Sequence, residues 1–496
     1  MGPHSGVILT LGKVSARPVN TAKGFSGLAS DSREVKPGYL FAALPGTRAN
    51  GARYIADAVA RGAVAVLGTP QIREEAEAFG VRFIADKNPR ARLARMAAEL
   101  FALQPKTIAA VTGTNGKTSV AVFLRQIWDA AGFKSASLGT IGVVTREGTR
   151  SLAHTTPDPI EMHRILAELA KSGIDHLALE ASSHGLDQYR LDGADVAAAA
   201  FTNITRDHLD YHRDFDGYLT AKLRLFGEVV REGGAAVVNV DAASADTFVA
   251  VARRRKLKLL TVGIAGEGIG LAKRIPNAHG QTLEVSCAGQ SYAIDLPLAG
   301  EFQASNALVA AGLAIALGQS PVGVFASLRH LKGAPGRLEK VAFAASGAPI
   351  YVDYAHTPDA LETILKALRP HVAQRLIVIF GCGGDRDTGK RPLMGKIAAQ
   401  HADLVIVSDD NPRTEDATAI RKAILAGVPQ AREISDRALA IREGIAALGK
   451  DDCLVIAGKG HETGQIVGDQ TRPFSDREEA IKAAVAEGGR PGEPSA

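Results

Sequence analysis

Short apolar runs alternate with stretches of helical spacing along most of this 496-residue chain. Runs such as 108–111, 196–201 and 376–380 are rich in Ala, Val, Ile and Leu, which predicts buried strands. Between these runs, apolar residues recur every three or four positions, as they do after Lys117, and this spacing predicts amphipathic helices. Strands that alternate with helices favour parallel sheets covered by helices, so the predicted fold class is α/β.

The same pattern divides the chain into three predicted domains. Residues 1–104 form a small α/β domain, residues 105–333 a central parallel-sheet domain and residues 334–496 a second doubly wound domain. Alternating positions with glycine-containing turns between 258 and 300 predict a small antiparallel insertion in the central domain. The Gly- and Pro-containing segment 487–496 is expected to be disordered.

Composition and charge limit the kinds of molecule that this protein is expected to bind. The net charge of +5 is small for this length and aromatic residues make up 5%, so we expect no binding of nucleic acid. The three cysteines lie far apart and have neither disulfide-framework nor metal spacing. No apolar run is long enough to span a bilayer and no secretory signal is evident, so we expect a cytoplasmic protein without membrane insertion.

The segment 112–119, Thr-Gly-Thr-Asn-Gly-Lys-Thr-Ser, follows a predicted strand and opens a predicted helix, which is the layout of a phosphate-binding loop. Gly113 and Gly116 allow backbone N–H groups to face an anion, and the helix N-terminus adds positive partial charge. Lys117 can reach the β- and γ-phosphates, and the Thr118 hydroxyl can ligate Mg²⁺. Because the loop is shorter than the common G-x-x-x-x-G-K-[ST] pattern, an ordinary glycine-rich turn is the alternative.

Two further predicted strands end in polar residues. Glu180 ends one of them and could ligate Mg²⁺, because carboxylate oxygens suit that ion. The strand 197–201 is followed by Thr-Asn-Ile-Thr-Arg-Asp-His, which ends at His208. Ligands of open α/β sheets collect at the carboxyl ends of strands. For this cluster, a zinc site of Asp207, His208 and His212 is an alternative interpretation.

Taken together, these segments resemble the Mur ligases, ATP-dependent enzymes that join a carboxylate to an amine. The resemblance covers nearly the whole chain and rests, in order, on residues 112–119, 180–184, 202–208, 300–306 and 353–359. It implies an N-terminal uridine-binding domain, a central ATPase domain and a C-terminal amino-acid-binding domain. It also implies that Lys222 is carbamylated by CO₂, which replaces an ammonium with an oxygen ligand for Mg²⁺.

The resemblance also implies a set of site residues. Those for ATP are Gly113, Thr114, Asn115, Gly116, Lys117, Thr118, Ser119, Asn306, Arg337, Asp353 and His356. The implied metal ligands are Thr118, Glu180, His208 and Lys222, and the implied catalytic residues are Lys117, Glu180, His208 and Lys222. The implied contacts to a UDP-muramoyl dipeptide are Ser30, Ser32, Thr47, Arg48, Ala49, His154, Thr155, Thr156, Ser182, Gln188 and Arg190.

The segment Asp410-Asn411-Pro412-Arg413 bears on the choice of amine. In the family it marks members that add meso-diaminopimelate, whereas lysine-adding members lack the arginine. An arginine can hold the distal carboxylate of diaminopimelate through two parallel hydrogen bonds, and lysine has no such carboxylate. The other implied contacts to this amino acid are Arg386, Gly458 and Glu462, with Glu462 facing its distal ammonium.

The expected reaction is ligation of meso-diaminopimelate to the D-glutamyl γ-carboxylate of UDP-N-acetylmuramoyl-L-alanyl-D-glutamate, in peptidoglycan precursor synthesis. It consumes ATP, requires Mg²⁺ and passes through an acyl phosphate, with Lys117 and Glu180 at solvent-facing loop or strand ends. We expect a monomer that acts on small molecules. The alternatives are a folylpolyglutamate synthetase-like ligase, an L-lysine-adding Mur ligase, and a nucleotide-gated binding protein without catalysis.

Overall fold

The structure, a computed structural model, describes residues 24–46 and 50–492. The chain forms two compact units: the first contains the described residues up to Val262 together with Gly312–Gln319. The second contains Gly263–Ala311 and the described residues from Ser320 onward. Both units are built from sheets and helices, so the predicted α/β class is confirmed. The domain boundaries near residues 104 and 333 stay predictions.

A parallel four-stranded sheet with strands in sequential order opens the first unit. Its strands are β1 (Gly27–Ala29), β2 (Tyr39–Ala42), β3 (Ala65–Gly68) and β4 (Arg82–Ala85). Its helices are α1 (Ile55–Ala60), α2 (Arg73–Glu77) and α3 (Pro89–Leu100). Leu40, Phe41, Val66 and Leu67 are almost fully buried, because consecutive residues of β2 and β3 pack against helices on opposite faces of the sheet.

A larger sheet fills the rest of the first unit, with strand order β12-β11-β10-β5-β9-β6-β7-β8. Its strands are β5 (Thr107–Thr112), β6 (Ser135–Gly139), β7 (Gly142–Thr145), β8 (Gly148–Arg150), β9 (His176–Glu180), β10 (Val196–Phe201), β11 (Val230–Asn239) and β12 (Lys258–Gly263). Its helices are α4 (Lys117–Ala130), α5 (Pro159–Lys171), α6 (Ser183–Asp187), α7 (Leu209–His212), α8 (Phe215–Arg224) and α9 (Ala245–Arg254). In this order, only the β6–β7 and β7–β8 pairs are antiparallel.

Three adjacent parallel strands of this sheet determine where polar side chains gather. Strand β5 lies between β9 and β10, with Val111 opposite Glu180 and Thr112 opposite Phe201. The apolar run of each strand is buried on both faces, so the first residues free of the packing are those beyond the carboxyl ends. The segments that follow these three strands therefore lie beside one another.

In the second unit, an antiparallel meander comes first. It consists of β13 (Ile269–Asn277), β14 (Gly280–Cys287) and β15 (Gln290–Leu296). It is followed by α10 (Glu301–Ala316), of which the residues up to Ala311 belong to this unit, and by α11 (Pro321–Leu328). The predicted insertion is therefore present, but the expected start at 258 is wrong. Strand β12 instead continues the parallel sheet, pairing with β11 from Lys258 onward.

The second unit also contains a seven-stranded sheet with strand order β20-β19-β18-β21-β17-β16-β24. Its strands are β16 (Glu339–Phe343), β17 (Pro349–Asp353), β18 (Leu376–Phe380), β19 (Leu404–Val407), β20 (Arg432–Glu433), β21 (Cys453–Ala457) and β24 (Arg490–Pro491), and a separate hairpin comprises β22 (Gly464–Val467) and β23 (Gln470–Pro473). The helices are α12 (Pro358–Leu368), α13 (Lys390–His401), α14 (Ala417–Leu425), α15 (Arg437–Ala446) and α16 (Asp476–Ala486).

The expected disorder of the C-terminal tail is wrong for part of it. Strand β24 pairs antiparallel with β16, with Arg490 opposite Phe343. The Arg490 guanidinium also lies over the Phe343 ring, 4.0 Å from its centroid, and this contact helps to hold the strand. Residues 493–496 lie outside the described part. Among the described helices, none is long and apolar enough to cross a membrane.

Candidate active site

The segment between β5 and α4 forms a tight loop, with Gly113 at φ +154° and Gly116 at φ +88°. A Cβ atom on Gly113 would collide with the Thr202 hydroxyl, so only glycine fits this position. Asn203, which follows β10, fastens the loop by exchanging two side-chain hydrogen bonds with the backbone of Asn115, at 3.0 and 3.2 Å. The loop is therefore fixed to the segment that follows the neighbouring strand.

Two lysine amines converge on one carbonyl oxygen of this loop. Lys117 Nζ donates to Gly113 O at 2.8 Å, and Lys222 Nζ, from α8, donates to the same oxygen at 2.7 Å. Lys222 is 1% exposed, and its amine lies 4.4 Å from the centroid of the Tyr218 ring. Burial, and then repulsion from the Lys117 ammonium, hold the pKa of Lys222 well below its ordinary value, although Asp207 opposes the shift.

Glu180 is buried, so the expectation of a solvent-facing carboxylate is wrong. Its Oε2 atom accepts a hydrogen bond from the Thr118 hydroxyl at 3.0 Å and one from the Thr140 hydroxyl at 3.1 Å. Its Oε1 atom accepts from the Thr140 backbone N–H at 2.8 Å. Close packing explains the burial, because a Cβ on Gly139 would overlap the carboxylate. The hydroxyl and carboxylate oxygens that suit Mg²⁺ thus lie in contact at the start of α4.

A hydrogen-bond network continues from Glu180 through the predicted dipeptide contacts. Thr155 bonds the Thr140 hydroxyl at 3.1 Å, and Thr156 donates to Glu180 O at 2.9 Å. The Ser182 hydroxyl donates to Thr156 Oγ1 at 3.1 Å. The predicted metal ligand and these predicted substrate contacts therefore belong to one connected cluster.

Arg190 and Gln188 extend this cluster towards α7. Arg190 donates to Thr156 O at 2.6 Å and to Gln188 Oε1 at 2.8 Å, and burial lowers the pKa of Arg190. Gln188 Nε2 in turn donates to the Tyr211 hydroxyl at 3.0 Å, and Tyr211 donates to Asp187 at 2.8 Å. The structure thus brings together five predicted dipeptide contacts, Thr155, Thr156, Ser182, Gln188 and Arg190, whereas His154 is exposed nearby in the chain.

His208 has left-handed backbone geometry, with φ +52°, and its side chain is half exposed. Its ring contacts the ring of His184 edge-on, with centroids 4.9 Å apart. Among the described residues, no group of three His, Cys, Asp or Glu side chains is arranged to hold a metal ion. The zinc alternative for Asp207, His208 and His212 therefore has no geometric support.

Two of the predicted uridine contacts, Ser30 and Ser32, lie in the first loop of the N-terminal sheet. Ser30 is exposed directly after β1, and Ser32 is buried in the short turn that follows. Asp31 caps this turn by accepting from the backbone N–H of Arg33 at 2.9 Å. Hydrogen bonding by Ser32 lowers the pKa of Asp57, which ties the turn to α1. Thr47, Arg48 and Ala49 lie outside the described residues.

The second unit holds the other residues expected to contact ATP. Asp353 ends β17, and its carboxylate accepts from the backbone N–H groups of Leu338 at 2.6 Å and Ala355 at 2.7 Å. Burial raises the pKa of Asp353 to about 6, and the nearby Arg337 guanidinium opposes the rise. Both carboxylate oxygens of Asp353 therefore accept hydrogen bonds from backbone N–H groups of residues that adjoin Arg337 and His356 in the chain. Burial lowers the pKa of His356, and Asn306 is buried on α10.

A second polar cluster forms where β18, β19 and β21 end side by side. Asn411 Nδ2 donates to Glu462 Oε2 at 2.9 Å, and the guanidinium of Arg413 donates to Gly384 O at 2.8 Å. Gly458 has φ +119°, a conformation that favours glycine. A Cβ at this position would also lie 2.5 Å from the Asp410 carboxylate. Arg386 is exposed in the loop after β18, and Pro412 is buried next to Arg413.

Comparison with known proteins identifies the family of this chain. Residues 25–100, 111–314 and 336–460 match three family descriptions: "Mur ligase family, catalytic domain", "Mur ligase middle domain" and "Mur ligase, glutamate ligase domain". The chain belongs to the Mur ligase family.

Named members of the Mur ligase family match over nearly their whole length. A protein of Bradyrhizobium diazoefficiens is 56% identical over 95% of this chain and 96% of its own. One of Mesorhizobium japonicum is 51% identical over 93% of this chain and 95% of its own. Both are named UDP-N-acetylmuramoyl-L-alanyl-D-glutamate–2,6-diaminopimelate ligase. A solved structure with the same name is 34% identical, has a TM-score of 0.72 and covers 94% of this chain and 95% of its own.

Several residues of this Mur ligase site were not assigned a role from the sequence. Thr140 binds the Glu180 carboxylate, Asn203 fastens the phosphate loop, and Tyr218 bonds the Thr114 hydroxyl at 3.0 Å through its own hydroxyl. Lys459 is fully buried between Asn411 and Glu462. Asn203 and Lys459 each lie inside or beside a polar segment that follows an apolar strand, a signal that marks their positions but not their roles.

Proposed function

We propose that this chain joins meso-diaminopimelate to the D-glutamyl γ-carboxylate of UDP-N-acetylmuramoyl-L-alanyl-D-glutamate at the expense of ATP. The main observation in favour is the meeting of a phosphate-type loop, Glu180 and the buried Lys222 at one edge of the central sheet. The names of relatives at 56% and 51% identity support the choice of substrates. The product is a precursor of peptidoglycan.

In the first step, an oxygen of the D-glutamyl carboxylate attacks the γ-phosphorus of ATP. The bond from that phosphorus to the β–γ bridging oxygen breaks, which gives an acyl phosphate and ADP. The loop amides and Lys117 bind the phosphates, and Gly113, Thr114, Asn115, Gly116, Thr118 and Ser119 complete this part of the site. Asn306, Arg337, Asp353 and His356 are further proposed contacts to ATP.

Mg²⁺ fits the oxygen donors at the start of α4. The Thr118 hydroxyl and the Glu180 carboxylate are 3.0 Å apart, and both are hard oxygen donors. His208 and the carbamylated Lys222 would complete the proposed ligand set. When bound, Mg²⁺ neutralises charge on the phosphates, so that a substrate carboxylate can approach them.

Carbamylation of Lys222 requires a neutral amine, because only the nitrogen lone pair can attack the carbon of CO₂. That attack forms an N–C bond, converts one C=O bond of CO₂ into a negatively charged oxygen and releases a proton from nitrogen. The lowered pKa of Lys222 increases the fraction of neutral amine at any given pH. The carbamate would also replace one of the two amines that meet at Gly113 O with an anionic group.

In the second step, an amine of meso-diaminopimelate attacks the acyl carbon. The amine loses a proton, phosphate leaves, and an amide bond remains. We propose that Arg413 and Arg386 hold the distal carboxylate of the amino acid and that Glu462 faces its distal ammonium. Asp410, Asn411, Pro412 and Gly458 shape this part of the site.

The first unit supplies the proposed sites for the nucleotide-linked dipeptide. Ser30 and Ser32, with Thr47, Arg48 and Ala49, would contact the uridine diphosphate. His154, Thr155, Thr156, Ser182, Gln188 and Arg190 would contact the muramoyl dipeptide. The network from Glu180 to Arg190 supports this assignment, since it would place the dipeptide carboxylate beside the phosphate loop.

We further propose the division into domains 1–104, 105–333 and 334–496, which the matched family segments support. The chain would act as a monomer in the cytoplasm, where its nucleotide substrates are made. Two alternative ligases share the loop: a folylpolyglutamate synthetase and an L-lysine-adding enzyme. The segment Asp410–Arg413 favours diaminopimelate over both, because neither alternative substrate offers a distal zwitterion.

The decisive experiment measures phosphate release and product mass with purified protein, ATP and the UDP-linked dipeptide. Phosphate release should require meso-diaminopimelate, and the product mass should increase by one diaminopimelate residue. L-lysine and glutamate in place of diaminopimelate serve as matched comparisons. Efficient ligation of L-lysine, or release of phosphate without any amine, would overturn the proposal.

A further inference from the structure

Lys459 is a fully buried cation in the segment after β21 that the proposed reaction does not use. It stands between Gly458 at φ +119° and Gly460 at φ +55°, two conformations that favour glycine. This backbone path turns the lysine side chain inward instead of towards water. Burial of an ammonium away from water costs free energy unless the ammonium is paired. The partners of Lys459 therefore indicate its role.

The partners of Lys459 are two side chains of the proposed amino-acid site. Its Nζ atom donates to Asn411 Oδ1 at 3.0 Å and to Glu462 Oε2 at 3.0 Å. Asn411 Nδ2 donates to the same Glu462 oxygen at 2.9 Å, which closes a three-membered cluster. Both contacts to Glu462 use its Oε2 atom, and the Glu462 side chain keeps 34% of its surface exposed. The cluster therefore fixes one carboxylate oxygen and presents the other.

The same cluster also connects to Arg413. The backbone N–H of Ile466 donates to Asn411 Oδ1 at 3.0 Å, and Arg413 N–H donates to Ile466 O at 3.1 Å. Arg413 itself has φ +52°, a conformation that needs such support in a residue with a side chain. Lys459 thus supports Glu462 directly and the backbone of Arg413 indirectly. These two residues are proposed to bind the two charges of the distal centre.

We propose that Lys459 is a positioning residue that sets the selectivity of this site for an amino acid with a zwitterionic distal centre. Its ammonium orients Glu462 and balances most of the charge of that carboxylate. A ligand with a bare distal ammonium then finds a carboxylate that is already paired. A ligand with an adjacent carboxylate gains the additional pairing with Arg413. This inference rests on the proposed function and adds a selectivity mechanism to it.

The test compares meso-diaminopimelate with L-lysine in steady-state kinetics of the full chain, using wild type and Lys459→Met. The KM for diaminopimelate should rise by about tenfold or more, and the preference for diaminopimelate over lysine should fall by a similar factor. The KM values for ATP and the UDP-linked dipeptide should stay near the wild-type values. If Lys459→Met fails to fold, Lys459→Gln, which keeps a donor but no charge, is measured for the same two effects.

A double-mutant cycle with Glu462→Gln separates positioning from general stability. If Lys459 acts through Glu462, the loss of amine preference in the double variant should be much smaller than the sum of the two single losses. Arg375→Met is the matched control, because Arg375 pairs with Asp452 at 2.6 Å next to the amino end of β21. That control should leave the amine preference unchanged.

Two results would count against the proposal in distinguishable ways. An unchanged amine preference in a folded Lys459 variant, or additive effects in the cycle, would overturn the role of Lys459 and leave the proposed function intact. Failure of the wild type to prefer diaminopimelate would overturn the amine assignment itself, and this inference with it.

Discussion

Lys222 is the residue on which catalysis should depend most visibly. Lys222→Ala removes the buried amine that would become the carbamate, so kcat should fall by at least ~10²-fold, as for loss of a preorganised electrostatic group. Formate or acetate should restore part of the activity by returning carboxylate oxygens to the site. Coupled phosphate-release kinetics with and without these anions measure both effects. Lys171→Ala, at the exposed end of α5, is the control and should leave kcat unchanged.

The pKa of Lys222 gives a second prediction, which does not require turnover. Burial and the Lys117 ammonium lower this pKa, so Lys117→Met should raise it and leave less neutral amine at neutral pH. The carbamate signal in ¹³C NMR with labelled bicarbonate should therefore be present in the wild type and grow as pH rises. It should be weaker in Lys117→Met at the same pH. A stronger signal in that variant would contradict the electrostatic coupling.

Glu180 shows why the substitution must match the structure. Because Glu180 is buried and accepts hydrogen bonds from Thr118 and Thr140, Glu180→Ala would leave these donors unpaired and open a cavity. Glu180→Gln keeps the size and removes the charge. It should retain most of the thermal stability but lose acyl-phosphate formation, measured by trapping with hydroxylamine. Normal trapping at ordinary Mg²⁺ concentration would remove Glu180 from the proposed metal site.

At the scale of elements, the phosphate loop depends on a neighbouring strand end. Asn203→Ala removes two hydrogen bonds to Asn115, each worth roughly 0.5–1.5 kcal/mol, so the KM for ATP should rise about tenfold. The KM for the UDP-linked dipeptide should change little. Gln104→Ala is the control, because Gln104 accepts a hydrogen bond from the backbone N–H of Asp195, which precedes the opposite end of β10. Equal KM values for ATP in both variants would exclude this role for Asn203.

The elements themselves were largely predictable, because local patterns determine them. The run 108–111, the two loop glycines and Lys117 give a strand, a turn and a helix start without knowledge of the rest of the chain. The fastening of that loop by Asn203 was not predictable, because it joins residues about ninety positions apart through a particular strand order. The role of Lys459 was not predictable for a related reason. It depends on the burial of the side chain, which a lone lysine between glycines does not reveal.

At the scale of the whole molecule, the sequence predicted three sheets of the right class but misplaced some limits. Strand β12 pairs with β11 because its apolar run continues the parallel sheet, although the sequence nearby alternates like a hairpin. The tail pairs with β16 despite its Gly and Pro content, and the Arg490–Phe343 contact adds to this backbone pairing. Polarity and glycine content predict disorder only when a segment has no strand to pair with in the fold. Local sequence patterns do not show whether such a strand exists.

The choice of amine is a property of the complete enzyme, because the chain must bind three substrates before it forms product. Arg413→Ala should raise the KM for meso-diaminopimelate steeply, since a charge-assisted bidentate contact is lost, while ATP and the UDP-linked dipeptide bind as before. A site built around such a group can reject analogues that lack it by up to about 10⁴-fold. The variant should not become a lysine enzyme, because Arg386, Glu462 and Lys459 still favour a zwitterionic distal centre. Steady-state kinetics of wild type and Arg413→Ala with both amines test this. Equal use of the two amines by the wild type would refute the assignment, whatever the variant did.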